Sequence, residues 1–302
     1  MDLAVTLLGV ALVAFLARDV FLTLLHHEGR GALGPLIERG VWRVARRMSR
    51  RSTGPMVLAG PLIVTAVLVA WIAIAVFGWA LIYWPQLPEG FAVTTTADLG
   101  PQDDFMDALY HSLVALTTLG YGDQIPVDTW LRVVAPLEAL VGLGLLTASI
   151  SWVLSIQPAL IRMRSLAGDI ATLQEAATVP GMPGVETLST RARWDLLRDF
   201  EERLVAVHAD LSQTPAAVYF EAREPRHSLA HALPELSHLA NGMRTDPDPE
   251  LRFAATRLCL GIGRLARTLA EEHLRMPDAS TDRVLAAFKA ERTPSAARTD
   301  RR

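Results

Sequence analysis

The chain has 302 residues, of which 51% are hydrophobic, and its mean hydropathy is positive. This composition is too apolar for an ordinary soluble protein. The net charge of −3 gives no support for a nucleic-acid partner, and the single cysteine, Cys259, excludes an intrachain disulfide and a cysteine-cluster metal site.

Three apolar stretches are each long enough to cross a bilayer: residues 3–25, 56–84 and 130–156. The first is interrupted by Arg18 and Asp19. We predict a retained N-terminal transmembrane helix within residues 1–29. A secretory signal is the alternative, but Asp2 stands where a signal has basic residues, and no small-x-small cleavage site follows. Arg18 would then reach the interface and Asp19 would face protein.

Arginines indicate the orientation of these spans. They cluster after the first span and after the third: Arg30, Arg39, Arg43, Arg46, Arg47, Arg50, Arg51, Arg162 and Arg164. Residues 85–130 contain no Lys or Arg. The positive-inside bias predicts a multi-pass protein of the plasma or inner membrane, with the C-terminal region cytoplasmic and residues 85–130 on the extracellular side.

The basic linker, residues 30–55, spaces its arginines at helical intervals. A voltage-sensing helix is one alternative, but the run is too short and polar to cross a membrane. We expect an interfacial amphipathic helix with Trp42 at headgroup level and four arginines facing anionic lipid. These are Arg43, Arg46, Arg47 and Arg50.

The outer segment contains a second, shorter helical pattern. Residues 104–117 have apolar positions at helical spacing, with Asp103 or Asp104 as the N-cap, but they cannot cross a bilayer. The chain must enter and return through TTLGYGDQIP, residues 117–126. Non-helical backbone at membrane depth is tolerated where it lines a water-filled path. Gly120 and Gly122 can take positive φ, which turns successive carbonyls to one side, and no Lys-Ser/Thr follows as in a phosphate-binding loop.

Residues 118–123, Thr-Leu-Gly-Tyr-Gly-Asp, resemble the selectivity filter of potassium channels. The resemblance covers residues 56–157: outer helix 56–84, extracellular loop 85–103, pore helix 104–117, filter 118–123 and inner helix 130–157. It implies K⁺ sites formed by four backbone carbonyls and the Thr118 hydroxyl, with the Tyr121 side chain directed into the protein behind the filter. Leu119 departs mildly from the usual Val or Ile. The carbonyls belong to Thr118, Leu119, Gly120 and Tyr121, and the pattern ends at Gly122 and Asp123.

The resemblance implies an all-α membrane protein that assembles as a homotetramer, because four loops must surround one ion. We therefore predict a K⁺-selective channel and not an enzyme, with K⁺ as permeant ion and no cofactor. A non-selective cation channel and a non-conducting, membrane-anchored signalling subunit are the alternatives. An acidic outer mouth would concentrate cations, although solvated loop acids explain most of it equally well. Its members are Glu89, Asp98, Asp103, Asp104, Asp107, Asp123 and Asp128.

The third span contains the candidate gate. Gly142 and Gly144 suit either a hinge or close helix packing, and both readings stay open. Helical spacing predicts that Leu143, Leu146 and Ile150 line a hydrophobic vestibule.

Glu138 is the one acid inside this span. An intramembrane carboxylate is a functional candidate, and we expect it to support the filter or pore helix through Thr117 or His111. An interfacial carboxylate near the outer leaflet is the alternative.

Residues 158–292 predict a helical cytoplasmic region, with a linker at residues 178–184 and a disordered tail at 293–302. Two apolar stripes indicate core packing or subunit contact: one from Trp194 to Leu211 and one from Leu251 to Leu269. His227, His231 and His238 share a helical face, but packed or solvated histidines are favoured over a metal site because Pro234 lies among them. No regulatory ligand is indicated by this region.

Overall fold

The structure, a computed structural model, describes residues 2–24, 31–49, 54–93 and 104–293. Several residues named above lie outside these ranges: Arg30, Arg50, Arg51, Asp98, Asp103 and residues 294–302. The described part contains nine α-helices and one short antiparallel ribbon, so the protein is all-α in class. The helices are α1 (Asp2–Leu24), α2 (Leu33–Met48), α3 (Gly54–Tyr83), α4 (Phe105–Leu116), α5 (Leu131–Ala177), α6 (Thr190–Gln213), α7 (Leu229–Gly242), α8 (Pro249–Leu269) and α9 (Thr281–Arg292). The ribbon pairs β1 (Phe91–Val93) with β2 (Gln124–Pro126).

The chain divides into two compact units. The first, here called the pore unit, comprises Met1–Ile37 and Val64–Leu154. The second, the C-terminal unit, comprises Glu38–Ile63 and Ser155–Arg302. The boundaries fall within α2, α3 and α5, so each of these helices contributes residues to both units.

Three helices are long and apolar enough to span a membrane: α1, α3 with its continuation to Gln86, and α5. Helix α4 is apolar but has only 12 residues. Helix α5 runs without interruption from the predicted inner helix to Ala177, directly before the predicted linker at residues 178–184. Beyond residue 157 the chain becomes more charged but remains rich in strong helix formers, so the helix continues past the apolar stretch.

Helix α1 packs closely on α3 through two glycines. A Cβ atom at Gly9 would lie 2.5 Å from the Gly78 carbonyl oxygen, so the two helix backbones are almost in contact. Small residues permit this approach between membrane helices. Leu16, 3% exposed, extends the same buried face of α1.

The short ribbon was not expected, because the sequence there indicated irregular chain. Ala92 pairs with Ile125 in antiparallel register, and the Val127 amide donates to the Gly90 carbonyl at 2.9 Å. Backbone pairing therefore holds the segment that follows residues 118–123 against the segment that follows α3.

In the C-terminal unit, α2 packs its Trp42 face inward. The Trp42 ring contacts Tyr219 edge to face at 5.4 Å, and the Arg292 guanidinium lies 5.0 Å from its centroid. Trp42 is only 8% exposed, so its ring packs inside this unit and is not available for the lipid contact that the prediction gave it. Arg46 also differs from expectation, because its Nη1 pairs with Glu291 Oε1 at 2.8 Å.

The two apolar stripes of this unit pack against each other as α6 meets α8. The stripe on α6 buries Leu197, Phe200, Leu204, Val207 and Leu211. The stripe on α8 buries Leu251, Ala254, Leu258, Ile262, Leu265 and Leu269. Of the two readings, core packing is therefore the observed one. Within the described residues, His227, His231 and His238 do not form a group that could hold a metal ion.

Candidate functional site

The site begins with the start of α4, which is fixed by a capping box. The Asp104 side chain accepts from the Asp107 amide at 3.0 Å, and the Asp107 side chain accepts from the Asp104 amide at 3.4 Å. This reciprocal pair satisfies two amides that would otherwise lack partners at the helix N-terminus. Two acids of the predicted outer mouth thus have a local structural role.

The end of α4 turns directly into the glycine loop, defined as residues 118–123. The Thr118 amide donates to the Ala115 carbonyl and the Leu119 amide to the Val114 carbonyl, each at 3.0 Å. The Thr117 hydroxyl donates to the Leu113 carbonyl at 2.6 Å. The last turn of α4 thus anchors the first residues of the loop.

The glycine loop alternates its backbone hand. Thr118 has φ of 57°, Gly120 of 57° and Gly122 of 75°, and no other φ values between residues 104 and 180 are positive in the described chain. Positive φ at every second residue turns successive carbonyl groups toward the same side of the strand. The two glycines were predicted from sequence. Positive φ at Thr118 was not predicted. A β-branched residue is strained in the positive-φ region, and no sequence signal indicates such a conformation.

The exit of the loop is held by Tyr110 and Asp123. The Tyr110 hydroxyl donates to Asp123 Oδ2 at 2.6 Å. Sequence reasoning missed Tyr110, since the two residues are 13 apart and only the reversal of the chain after α4 brings them together. This bond ties α4 to the end of the loop, opposite the anchor at Thr118.

A cavity of about 580 Å³ lies beside the start of the loop and the middle of α5. Its wall includes Thr117 and Thr118 as well as Leu143, Leu146 and Ile150, the three residues predicted for the vestibule. The other lining residues come from α3, α4 and α5: Leu68, Ile72, Leu116, Gly142, Leu145, Ser149, Val153 and Leu154. The wall is almost entirely aliphatic, and its polar groups are concentrated at the loop.

Gly142 and Gly144 have different surroundings in α5. A Cβ atom at Gly142 would lie 2.0 Å from the Leu116 carbonyl oxygen, whereas a Cβ atom at Gly144 would meet nothing within 4 Å. Close approach to the end of α4 is therefore a sufficient reason for glycine at position 142. The helix is continuous through both residues, and the hinge stays a prediction.

Glu138 is fully buried behind α4. The Ser112 hydroxyl lies 2.7 Å from Glu138 Oε1 and 3.1 Å from the Val76 carbonyl oxygen, so it is a donor shared between α5 and α3. The predicted partners, Thr117 and His111, are wrong. Thr117 bonds back to its own helix, and Ser112 is the polar residue on the α4 face that meets α5.

An aromatic cluster packs the outer end of α3 against α4. The His111 ring lies edge-on to Tyr83 at 4.8 Å and to Phe91 at 4.7 Å. His111 Nε2, the Tyr83 hydroxyl and Glu138 Oε2 are buried and make no hydrogen bond within the described part of the chain.

Two side chains of the glycine loop are largely exposed. Leu119 is 55% exposed and Tyr121 is 66% exposed. The described part of this chain leaves most of the Tyr121 ring uncovered, so its direction into the protein behind the loop stays a prediction.

Three helices of spanning length, one that is too short to span, and a glycine loop beside a cavity define a membrane protein with a pore-type module. Residues 66–156 match the model of an ion channel family. This match runs from the middle of α3 to the cavity-lining part of α5.

A relative was found among curated proteins. The "Uncharacterized membrane protein YdjJ" of Bacillus subtilis is 27% identical over 194 residues, which cover 64% of this chain and 54% of that protein. The chain therefore spans about half the length of this relative. No solved structure matches the chain.

Proposed function

We propose that the protein is a potassium-selective channel whose filter is the glycine loop, residues 118–123. The observation that carries the proposal is the alternation of positive φ at Thr118, Gly120 and Gly122. A strand of this kind offers a row of carbonyl oxygens, and such rows replace the hydration shell of a dehydrated cation. The ion channel family match over residues 66–156 supports the channel class but does not extend to the choice of ion.

The groups around the loop favour a cation in the cavity, before it enters the loop. The C-terminal end of α4 lies at the cavity, where Leu116 and Thr117 contribute to the wall. The partial negative charge of a helix C-terminus favours a cation there. Beyond the loop, Asp123 lies at the opposite end of the row, bonded to Tyr110. A K⁺ ion would thus move between two electronegative regions without any covalent step.

The same proposal requires four chains. One chain supplies one glycine loop, and a single row of carbonyls cannot enclose an ion. The exposed Leu119 and Tyr121 and the exposed aliphatic residues of α5 at the cavity support such an assembly, because the described part of their own chain leaves these side chains uncovered. Leu143, Leu146 and Ile150 are 52–59% exposed on that face of α5. We assign the pore to the four-fold axis of a homotetramer.

Anionic lipid remains the proposed partner of α2, with a changed set of residues. Arg46 is paired with Glu291, and Arg50 lies outside the described residues. Arg39, Arg43 and Arg47 are exposed at intervals of four, beside the exposed apolar residues Leu36, Val44 and Met48. A basic line beside an apolar line is the pattern of a helix that lies in the headgroup region. The arginine distribution supports placing this helix and the C-terminal unit on the cytoplasmic side.

The proposal is tested by reconstituting the full chain in liposomes and recording currents in mixed K⁺ and Na⁺ solutions. We expect a barium-sensitive current whose reversal potential follows the K⁺ gradient. Equal permeability of the two cations would replace the proposal with a non-selective cation channel. Absence of any flux across voltage, pH and lipid composition would favour a non-conducting membrane subunit.

A further inference from the structure

Asp19 is a fully buried carboxylate in the last part of α1. Its Oδ1 accepts from the amides of Ala32 and Leu33 at 2.5 and 3.2 Å, and its Oδ2 accepts from the Trp71 indole nitrogen at 2.9 Å. Three donors therefore satisfy a charge that would be very costly to bury alone in an apolar helix pair. All the groups in this cluster belong to the pore unit.

The two amide donors mark the beginning of α2. Ala32 immediately precedes the helix and Leu33 is its first residue, so Asp19 caps α2 from a different helix. Free amides and the positive end of the helix dipole favour a carboxylate at this position. A Cβ atom at Gly31 would lie 2.7 Å from Asp19 Oδ1, which requires glycine just before the cap. The start of the arginine-bearing helix is thus attached to α1 through one side chain.

The third donor extends the attachment to the wall of the cavity. Trp71 lies in the middle of α3 and is fully buried, and its ring contacts the Trp152 ring with centroids 5.5 Å apart. Trp152 lies on α5 two residues after the cavity-lining Ile150 and is 8% exposed. Three hydrogen bonds to Asp19 and one ring contact therefore connect the start of α2 with the cavity-lining part of α5.

We propose that Asp19 and Trp71 are gate-positioning residues: the Asp19 carboxylate sets the position of Trp71, and Trp71 sets the position of α5 at Trp152. Movement at the start of α2 is transmitted to the cavity wall by this chain of contacts, here called the Asp19 relay. The inference rests on the proposed channel function, and it adds a residue on α1 and one on α3 to the groups that control conduction. Neither residue touches the ion.

The Asp19→Asn variant separates the two parts of this cluster. The amide oxygen can still accept from Ala32 and Leu33, but the amide nitrogen cannot accept from Trp71. Trp71→Phe removes the same bond from the other side and keeps an aromatic ring against Trp152. We expect each variant to change the open-to-closed ratio about tenfold in the same direction, as for the loss of one hydrogen bond to a charged acceptor. The double variant should change the ratio no more than either single one.

The matched control is Trp79→Phe. Trp79 lies on the same helix as Trp71 and, at 8% exposed, is also buried. Its indole nitrogen makes no hydrogen bond in the described part of the chain. This variant should leave the open-to-closed ratio within about twofold of the parent. Two outcomes would overturn the relay. In one, the effects of the two single variants multiply in the double variant; in the other, both single variants leave the open-to-closed ratio unchanged.

A second measurement does not depend on ion flux. In a Cys259→Ser background, Ile150→Cys places one thiol on the cavity wall, and its modification rate by a water-soluble thiol reagent reports access. Asp19→Asn and Trp71→Phe should change that rate in one direction and by similar factors, with tetramer assembly and K⁺ over Na⁺ permeability unchanged. An unchanged rate rejects the relay even where K⁺ current is present. A changed rate without K⁺ current rejects the channel proposal and retains the relay.

Discussion

The two units surround their buried ionisable side chains with different kinds of partner. In the pore unit, the fully buried Asp19 and Glu138 are each held by neutral donors, namely amides, an indole and a hydroxyl. In the C-terminal unit, the buried Arg292 pairs with Glu221 at 3.0 Å and also donates to the Val218 carbonyl at 3.0 Å. Its guanidinium lies 3.8 Å from the Phe288 ring centroid as well. Burial lowers the pKa of Arg292, and the Glu221 carboxylate opposes that change.

This difference indicates where each unit can change its state. Arg292 has an opposite charge, carbonyls and rings around it, so the C-terminal unit loses much by separating them. Around Glu138, the His111 ring nitrogen makes no hydrogen bond within the described residues, and the Tyr83 hydroxyl lies near the second carboxyl oxygen without the geometry of a hydrogen bond. Neutral and incomplete partnerships are easier to rearrange, which suits the opening and closing proposed for the pore unit. Arg292→Gln and Glu138→Gln test this contrast directly, and two glycine variants test the loop and α5 of the pore unit.

The largest effect is expected at Gly120. An alanine with φ near 57° costs about 1–2 kcal/mol per chain, or about 4–8 kcal/mol over four chains, so Gly120→Ala should reduce K⁺ flux more than about a hundredfold. Flux assays in liposomes measure this loss. Gly181→Ala is the control, because Gly181 has φ of 83° in the linker after α5 and nothing within 4 Å of its Cβ position. Equal loss in both variants would mean that the alternating backbone is not the filter.

Arg292→Gln should destabilise the C-terminal unit by about 3–5 kcal/mol, because Glu221 then remains buried without its counter-charge. Thermal unfolding measures the loss, and K⁺ over Na⁺ permeability should not change. Arg226→Gln is the comparison, since Arg226 and Glu224 are both 57% exposed and their pair contributes less than about 1 kcal/mol. The double variant Arg292→Gln with Glu221→Gln should recover part of the stability. If Arg292→Gln unfolds at the same temperature as the parent, the contrast between the units is rejected.

Gly142→Ala should cost about 1–3 kcal/mol, because the new methyl group meets the Leu116 carbonyl and must displace the end of α4. We expect lower thermal stability of the assembled protein and a reduced K⁺ current. Gly144→Ala has no such contact within the chain and should add up to about 1 kcal/mol of helix stability. A hinge role would instead be indicated if Gly144→Ala altered the open probability while Gly142→Ala did not.

The smallest effect is expected for Glu138→Gln. The side-chain amide can still accept from the Ser112 hydroxyl, so packing should remain and only the acidic group is lost. We expect a change of a few fold in the fraction of time that the filter conducts, measured by single-channel recording. Ser112→Ala should have the larger effect of the two, since it leaves a buried oxygen of Glu138 unsatisfied. Unchanged conductance and open probability in Glu138→Gln would leave Glu138 with a packing role alone.

Much of the fold follows from local patterns. Span length predicted α1, α3 and α5, and helical periodicity predicted α4 and the two stripes on α6 and α8, because apolar spacing reports which face of a helix is buried. Gly120 and Gly122 were identified as positive-φ positions because only glycine adopts that conformation readily. These features depend on neighbouring residues in the chain.

Other features were decided by tertiary contacts between distant residues. Tyr110 meets Asp123, Ser112 meets Glu138, and Asp19 meets Trp71, and none of these pairs has a local sequence signature. Trp42 was predicted for the membrane interface because amphipathicity shows that a face will be covered but not what covers it. The sequence alone therefore determined the class of module and its glycine loop. Only the packing of helices determined which polar side chains hold that loop and which connect it to the rest of the chain.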